Sequence, residues 1–214
     1  MWNTRRIKSF HSSVTCVRFD TTGLVIAAGS TDGTCKVIST YLDNVDSSPT
    51  PGHRFSGIRT FGDVMYVIET KAWVNSLSWS ENSNWIACAT HDNKIWFSDF
   101  QSDQKLEVVG KPVMSLVFVS DRKVVTGGFD YKVSAFELSG NNWASAGEIR
   151  AGEEEKSGNS VQNRVKMFAK GFDGKKDRET LTSRHKNTVS CIRKVDASRF
   201  SSSDVTGNLF VWKV

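Results

Sequence analysis

Short runs of β-branched and aromatic residues recur along the chain, separated by glycine, asparagine, aspartate and serine. In the first unit, VTCVRF at residues 14–19 is followed by GLVIAAGS at residues 23–30 and by DGTCKVI at residues 32–38. Apolar runs of this length, bounded by turn-forming residues, are typical of antiparallel strands joined by tight turns. The pattern therefore predicts an all-β chain.

This three-part unit occurs four times. Its first segments begin at Val14, Val74, Val113 and Val189. The turns between its second and third segments are marked by Asp32, Asp92, Asp130 and Thr206. The shortest separation, from residue 92 to residue 130, is about 40 residues, which is the length of one four-stranded blade of a β-propeller. The repeat therefore predicts four propeller blades.

The predicted blades have insertions between them and open ends. They cover residues 14–68, 74–109, 113–149 and an incomplete 189–214. Residues 1–10 are predicted to form the outer strand of a blade that precedes the chain. Four blades cannot close a ring, so we predict a partial β-propeller over residues 1–214 with apolar side chains exposed at both ends.

The turn residues are predicted to be structural. Asp32-Gly33 and Asp92-Asn93 can adopt the positive φ that a two-residue hairpin requires. His11 and His185 precede the first strands of their units by a few residues, where a histidine can pair with the turn aspartate. In the fourth unit Thr206 replaces that aspartate, so the pairing is not predicted there. No nucleophile and carboxylate accompany these histidines in a catalytic arrangement, and we predict no enzyme activity.

Two insertions interrupt the repeat. Residues 41–62 are rich in Pro, Gly and Ser and predict an extended loop, whereas residues 150–184 contain a predicted helix at about residues 160–170. One face of this helix carries Val161, Val165, Phe168 and Phe172. Two interpretations stay open: the helix covers its own propeller, or it enters a hydrophobic groove on a partner.

Charge and cysteine content narrow the classes of function. The net charge of +5 includes a basic surface predicted at Lys166, Lys170, Lys175 and Lys176. These charges favour acidic partners, but no RNA-binding aromatic signature or recognition helix predicts nucleic-acid binding. No apolar run approaches the roughly 18 residues of a membrane span, and a cytoplasmic protein is predicted. Cys16, Cys35, Cys88 and Cys191 lack metal-ligand spacing and are predicted to be buried free thiols, with no metal or cofactor.

Several segments resemble one family of proteins. They are LVIAAGS at residues 24–30, CKV at 35–37, STYLDNVDSSP at 39–49, FGDVM at 61–65, WVN at 73–75, HD at 91–92 and HKNTVS at 185–190. In these segments the chain resembles the WD-repeat subunits (subunit 1) of the actin-related protein 2/3 complex. The resemblance implies a non-catalytic, seven-bladed propeller of which this chain supplies about four blades.

The resemblance also implies partners and a contact site. It implies a scaffold and regulatory role in nucleating branched actin filaments in the cytoplasmic actin cytoskeleton. The implied partners are actin-related proteins and other subunits of the complex, the actin filament, and acidic regions of nucleation-promoting factors. The contact residues implied for a protruding helix are Val161, Arg164, Val165, Phe168 and Phe172. The alternative is an independent WD-repeat adaptor that binds acidic or phosphorylated peptides.

Overall fold

The computed structural model describes residues 4–43, 45–47, 55, 57, 60–150 and 183–213. Within them, fifteen strands form four separate antiparallel sheets, which we call blades I to IV. In each blade every strand pairs with its neighbours in sequence. The predicted all-β partial propeller is confirmed. No helix among the described residues is long and apolar enough to cross a membrane.

The strands lie in the order in which they occur along the chain. Blade I contains β1 (Val14–Phe19), β2 (Val25–Ser30), β3 (Thr34–Ser39) and β4 (Val64–Glu69). Blade II contains β5 (Val74–Trp79), β6 (Ile86–Thr90), β7 (Lys94–Ser98) and β8 (Asp103–Glu107). Blade III contains β9 (Val113–Ser120), β10 (Lys123–Gly128), β11 (Val133–Ser139) and β12 (Asn142–Glu148). Blade IV contains β13 (Val189–Lys194), β14 (Arg199–Asp204) and β15 (Leu209–Lys213).

The outer strand predicted for residues 1–10 is not formed in the described part of that segment. Residues 4–10 have no regular secondary structure. A strand requires a hydrogen-bonding neighbour, and none of the described strands lies beside these residues to pair with them. The segment instead packs on blade I, where the ammonium of Lys36 lies 5.0 Å from the centre of the Phe10 ring.

Hydrogen bonds between the first strands of successive blades join the blades into an arc. The amide of Leu116 in β9 donates to Ser76 Oγ in β5 at 3.2 Å. The amide of Ile192 in β13 donates to Ser115 Oγ in β9 at 2.9 Å. Ser76 and Ser115 are each the third residue of their strand. The same serine position therefore links blade II to blade III and blade III to blade IV.

Hydrophobic cores fill the spaces between the blades. Between blades II and III, the rings of Phe97 and Trp143 stack at a centroid distance of 4.3 Å and an interplanar angle of 9°. Between blades III and IV, Val125 packs with Phe200 and Trp212. Blades II and III bury both faces against their neighbours because apolar residues occupy both sides of β6 and β10.

Small residues allow the blades to approach closely. Gly29 in β2 lies against Val74, the first residue of the next blade, and an added Cβ would overlap the Val74 side chain. At Gly127 in β10 an added Cβ would lie 2.6 Å from Val189 Cγ1. Both glycines pair with the third residue of their first strand, so they occupy the same position in the repeat. Val74 and Val189, which open the second and fourth repeats, therefore each pack on a residue without a side chain.

The first insertion contributes to the core. No strand is present among the described residues between 41 and 62, but Phe55 is buried there. Its ring lies 6.1 Å from the Trp79 ring and 5.5 Å from the Phe100 ring, edge to face in both cases. The segment predicted to be an extended loop thus inserts an aromatic anchor beside blades I and II.

The four cysteines are free thiols, but their burial differs from the prediction. Cys35 and Cys88 are buried, whereas Cys16 and Cys191 are half-buried. The latter two are the third residues of β1 and β13, the first strands of the two terminal blades. They are less covered because those strands face the centre of the arc and its open ends.

Candidate protein-interaction surfaces

The turn residue of blade I is held by several hydrogen bonds. Asp32 Oδ1 accepts from the Thr34 amide at 3.0 Å and from Thr34 Oγ1 at 2.6 Å. Asp32 Oδ2 accepts from the backbone amide of His11 at 3.1 Å. Partial burial alone would raise the pKa of the Asp32 carboxyl, but these donors outweigh it and lower the pKa. His11 thus contacts the turn aspartate through its backbone.

The turn residues of blades II and III have fewer donors. Asp92 accepts from Thr90 Oγ1 at 2.5 Å and forms an ion pair with Lys94. Asp130 accepts a bond from the Lys132 amide at 3.2 Å. Burial is the larger influence on Asp130 and raises the pKa of its carboxyl. The same repeat position therefore holds carboxylates in opposite electrostatic environments.

The residue after each turn position has a positive φ. The values are +83° at Gly33, +64° at Asn93, +66° at Tyr131 and +88° at Gly207. The left-handed conformation predicted for Gly33 and Asn93 is confirmed. Asn93 tolerates it because asparagine occupies this region more readily than most residues, and its side-chain amide donates to Gly110 O at 2.9 Å.

Blade IV contains a buried polar network that the sequence pattern did not predict. His185 Nδ1 lies 3.0 Å from Asp204 Oδ2, and His185 Nε2 lies 2.7 Å from Ser202 Oγ. Trp212 Nε1 donates to Ser202 Oγ at 2.7 Å. The pairing that was not predicted in this blade is therefore present. Asp204, two residues before Thr206 at the end of β14, supplies the carboxylate.

Thr206 supports this carboxylate instead of replacing it. The Thr206 amide and hydroxyl both donate to Asp204 Oδ1, at 3.0 and 2.7 Å, and Asn208 also donates to it. Burial alone would raise the pKa of the Asp204 carboxyl, but the bonds from His185, Thr206 and Asn208 outweigh it and hold the pKa well below its ordinary value.

The network contains serine, histidine and aspartate but is built as a structural unit. A proton on His185 Nδ1 that is donated to Asp204, with Nε2 accepting from Ser202, leaves Ser202 Oγ free to accept from Trp212. All donors and acceptors are then satisfied inside the blade. His185, Asp204 and Ser202 are buried, so the Ser202 hydroxyl is not exposed to solvent. The network holds the segment that precedes β13 against β14 and β15.

An exposed tryptophan lies at the same edge of the blades as the turns. Trp73, in the connection from β4 to β5, is 57% exposed, and its ring lies 5.8 Å from the ring of His91. The connection is bound to the blade I turn because the amides of Thr70 and Lys71 both donate to Gly33 O. Exposed tryptophan is enriched at sites that dominate protein interfaces, which makes this edge a candidate contact surface.

Apolar side chains are exposed at both ends of the arc, as predicted. At the blade I end they are Val14, Val17 and Phe19. At the blade IV end they are Val205, Leu209 and Val211. In β15 the two exposed residues alternate with Phe210 and Trp212, which pack toward blade III. Each terminal blade thus has one face whose apolar side chains are exposed to solvent.

The residues predicted for partner binding and for the basic surface lie outside the described residues. The former are Val161, Arg164, Val165, Phe168 and Phe172. The latter are Lys166, Lys170, Lys175 and Lys176. Of the predicted site residues, the structure describes the turn positions Asp32, Asp92, Asp130 and Thr206.

The fold agrees with a family model and with solved structures. The WD domain, G-beta repeat, matches residues 3–39 and 62–99, which include most of blades I and II. The structure of U3-55K and the RRP9 WD40 repeats each align with 98% of this chain at a TM-score of 0.66, covering 51% of those chains at 13% identity. The chain therefore contains WD40 repeats arranged as part of a β-propeller.

Several proteins of similar sequence are subunit 1 of the actin-related protein 2/3 complex. The chain is 23% identical to actin-related protein 2/3 complex subunit 1B of Arabidopsis thaliana, over 99% of this chain and 61% of the relative. It is 23% identical to subunit 1B-A of Xenopus laevis, over 100% and 61%. It is 26% identical to subunit 1 of Saccharomyces cerevisiae, over 73% and 42%. The chain thus spans less than two thirds of the length of these curated relatives.

Proposed function

We propose that this chain acts as a WD-repeat subunit of an actin-related protein 2/3 complex, as a non-catalytic scaffold that supports nucleation of branched actin filaments. The observation that carries the proposal is the similarity to subunit 1 from a plant and a frog over essentially the whole chain. The proposed partners are actin-related proteins, other subunits, the actin filament and acidic regions of nucleation-promoting factors. The proposed location is the cytoplasmic actin cytoskeleton.

The described residues support a role in assembly. Hydrogen bonds and stacked aromatic rings join the blades, so the arc can hold several partners in fixed positions. Trp73 and the exposed apolar side chains of the terminal blades offer contact area on separate sides of the arc. Exposed apolar surface of this kind marks protein interaction sites.

Co-purification tests the proposal. A tagged chain expressed in cells that contain the complex is expected to retain actin-related proteins through washes at physiological salt. A tagged unrelated WD-repeat propeller is the control for nonspecific retention. Capture of phosphorylated or acidic peptides without actin-related proteins would support an independent adaptor and would contradict the proposal.

The second insertion is proposed to supply the contact with actin. The spacing of Val161, Val165, Phe168 and Phe172 favours an amphipathic helix, and Arg164 follows from the family resemblance. Removing a buried aromatic anchor from such a contact typically costs about 2 kcal/mol or more. The double change Val165→Ala with Phe168→Ala is therefore expected to weaken actin or branch-junction binding at least about tenfold, with the melting temperature nearly unchanged.

Charge variants serve as the comparison for this helix. Lys166→Glu and Lys170→Glu are expected to give a smaller loss that diminishes at high salt, because charges at the rim of an interface mainly affect encounter. The proposal for the helix fails if Phe168→Ala lowers the melting temperature and leaves branching activity intact. That outcome would mean that the helix packs on its own propeller.

A further inference from the structure

The first strands of all four blades line one cleft at the centre of the arc. Its volume is about 390 Å³, which lies within the range of roughly 300–1,000 Å³ typical of ligand sites. The polar lining residues include Thr15, Arg18, Asn75, Ser76, Ser115 and Arg193. Among the described residues, no acidic and no aromatic side chain lines the cleft.

Two arginines occupy the same repeat position at opposite ends of the arc. Arg18 is the fifth residue of β1, and Arg193 is the fifth residue of β13. Each donates from one guanidinium nitrogen to the carbonyl of the preceding residue, at 2.8 Å in Arg18 and 2.9 Å in Arg193. Each guanidinium has further donors beyond this bond, and both side chains are exposed.

The positive charge of these arginines is not balanced nearby. Among the described residues neither arginine forms an ion pair. The carboxylates that follow the first strands at the same edge have other partners: Glu81 pairs with Lys194, and Asp196 pairs with Arg199. Asp20 accepts from Thr22 Oγ1 at 2.6 Å. The cleft therefore holds two positive charges that form no ion pair with the described carboxylates.

The serines of the cleft add hydrogen-bond donors. Ser76 Oγ and Ser115 Oγ each accept a bond from a backbone amide of the next blade. A hydroxyl that already accepts such a bond still has its own proton to donate. The two serines belong to blades II and III, and the two arginines belong to blades I and IV on either side. The lining therefore suits a ligand rich in oxygen acceptors.

We propose that the central cleft binds an acidic peptide segment, with carboxylates paired to Arg18 and Arg193 and further oxygens accepting from the cleft serines. A peptide fits better than a single small anion, because the charges come from the two terminal blades and the cleft volume exceeds that of one carboxylate. Single-stranded nucleic acid fits less well, because the described lining has no aromatic side chain on which its bases could stack. This site is separate from the helix proposed to contact actin.

Fluorescence anisotropy with a fluorescein-labelled hexaglutamate peptide tests the site on the full chain. Hexaglutamate is expected to bind in a salt-dependent manner, and hexaglutamine is not. Arg18→Gln with Arg193→Gln is expected to weaken hexaglutamate binding at least about tenfold, because both guanidinium contacts are lost. The matched control is Arg122→Gln with Arg184→Gln, two exposed arginines outside the cleft that remove the same net charge. This control is expected to change binding less than about twofold.

A charge exchange keeps the test independent of changes in folding. The double variant Arg18→Glu with Arg193→Glu is expected to lose its binding of hexaglutamate and to bind labelled hexalysine. The unchanged chain is expected not to bind hexalysine. Equal losses in the cleft and control variants, absence of hexaglutamate binding, or full competition by a deoxythymidine 12-mer would overturn the proposal. The readout is direct peptide binding, so it is unaffected if co-purification with actin-related proteins fails.

Discussion

At the scale of single residues, one repeat position performs its task by different chemistry in different blades. Asp32 is surrounded by three donors, which lower the pKa of its carboxyl. Asp130 has one backbone donor, and burial raises the pKa of its carboxyl. In blade IV the carboxylate has moved to Asp204, and Thr206 donates to it. The spacing of the repeat therefore identifies the turn but not the energetic contribution of the residue in it.

The first prediction compares two neutralising substitutions. A carboxyl whose pKa is lowered on folding stabilises the protein above its unfolded pKa of about 3.9, and this stabilisation is lost as pH falls through the folded pKa. Asp32→Asn is therefore expected to lower the free energy of unfolding at pH 7 by roughly 1 kcal/mol, a modest value because the carboxylate is partly exposed. The two proteins should converge at acidic pH.

Asp130→Asn is the matched comparison and has the opposite sign. A carboxyl whose pKa is raised on folding costs stability once it is ionised, and the cost disappears as pH falls to the unfolded pKa. Asp130→Asn is therefore expected to leave stability at pH 7 unchanged or higher, since an amide oxygen can still accept from Lys132. Melting temperatures measured from pH 3 to pH 8 check both variants. A larger loss at Asp130 than at Asp32 would contradict this assignment.

At the scale of the strand, local pattern predicts the elements and contacts between blades decide the details. The first three strands of each blade follow from alternating apolar runs and turn residues. The sequence could not show that Phe55, within a loop rich in Pro and Gly, packs on Trp79. It also could not show that His185 meets Asp204 instead of Thr206, because that choice depends on the register between β13 and β14. Both missed features are contacts between segments that are distant in the chain.

The second prediction concerns the close approach of neighbouring blades. Gly29→Val is expected to lower the free energy of unfolding by about 1–3 kcal/mol, because the added side chain overlaps Val74 and overpacks the contact between blades I and II. Gly57→Ala is the control, since an added Cβ there meets no atom of the described residues within 4 Å. This control is expected to change stability by less than about 0.5 kcal/mol. Urea denaturation measures both variants, and an equal response would show that the blade contact tolerates a side chain at residue 29.

At the scale of the whole molecule, the four blades form an arc. Neighbouring blades pack on one another, whereas the outer faces of blades I and IV expose apolar side chains. Each contact between blades buries aromatic or branched side chains from both partners. The sequence predicts this architecture because the repeat makes each blade depend on its neighbours. It also predicts that the ends expose apolar residues, and Phe19 and Leu209 are 57% and 68% exposed.

The last prediction follows from these exposed ends. Apolar side chains on an open sheet face favour association, so the isolated chain is expected to form oligomers or aggregates in gel filtration with light scattering and to bind the dye ANS. Phe19→Asp with Leu209→Asp is expected to shift the population toward monomer, because one charge is placed on each terminal blade. Val109→Asp is the control, since Val109 is 96% exposed and lies between β8 and β9, away from both ends. This control is expected to leave the distribution of oligomers unchanged. A monodisperse monomer of the unchanged chain without ANS binding would show that the terminal blades are stable in water without a partner.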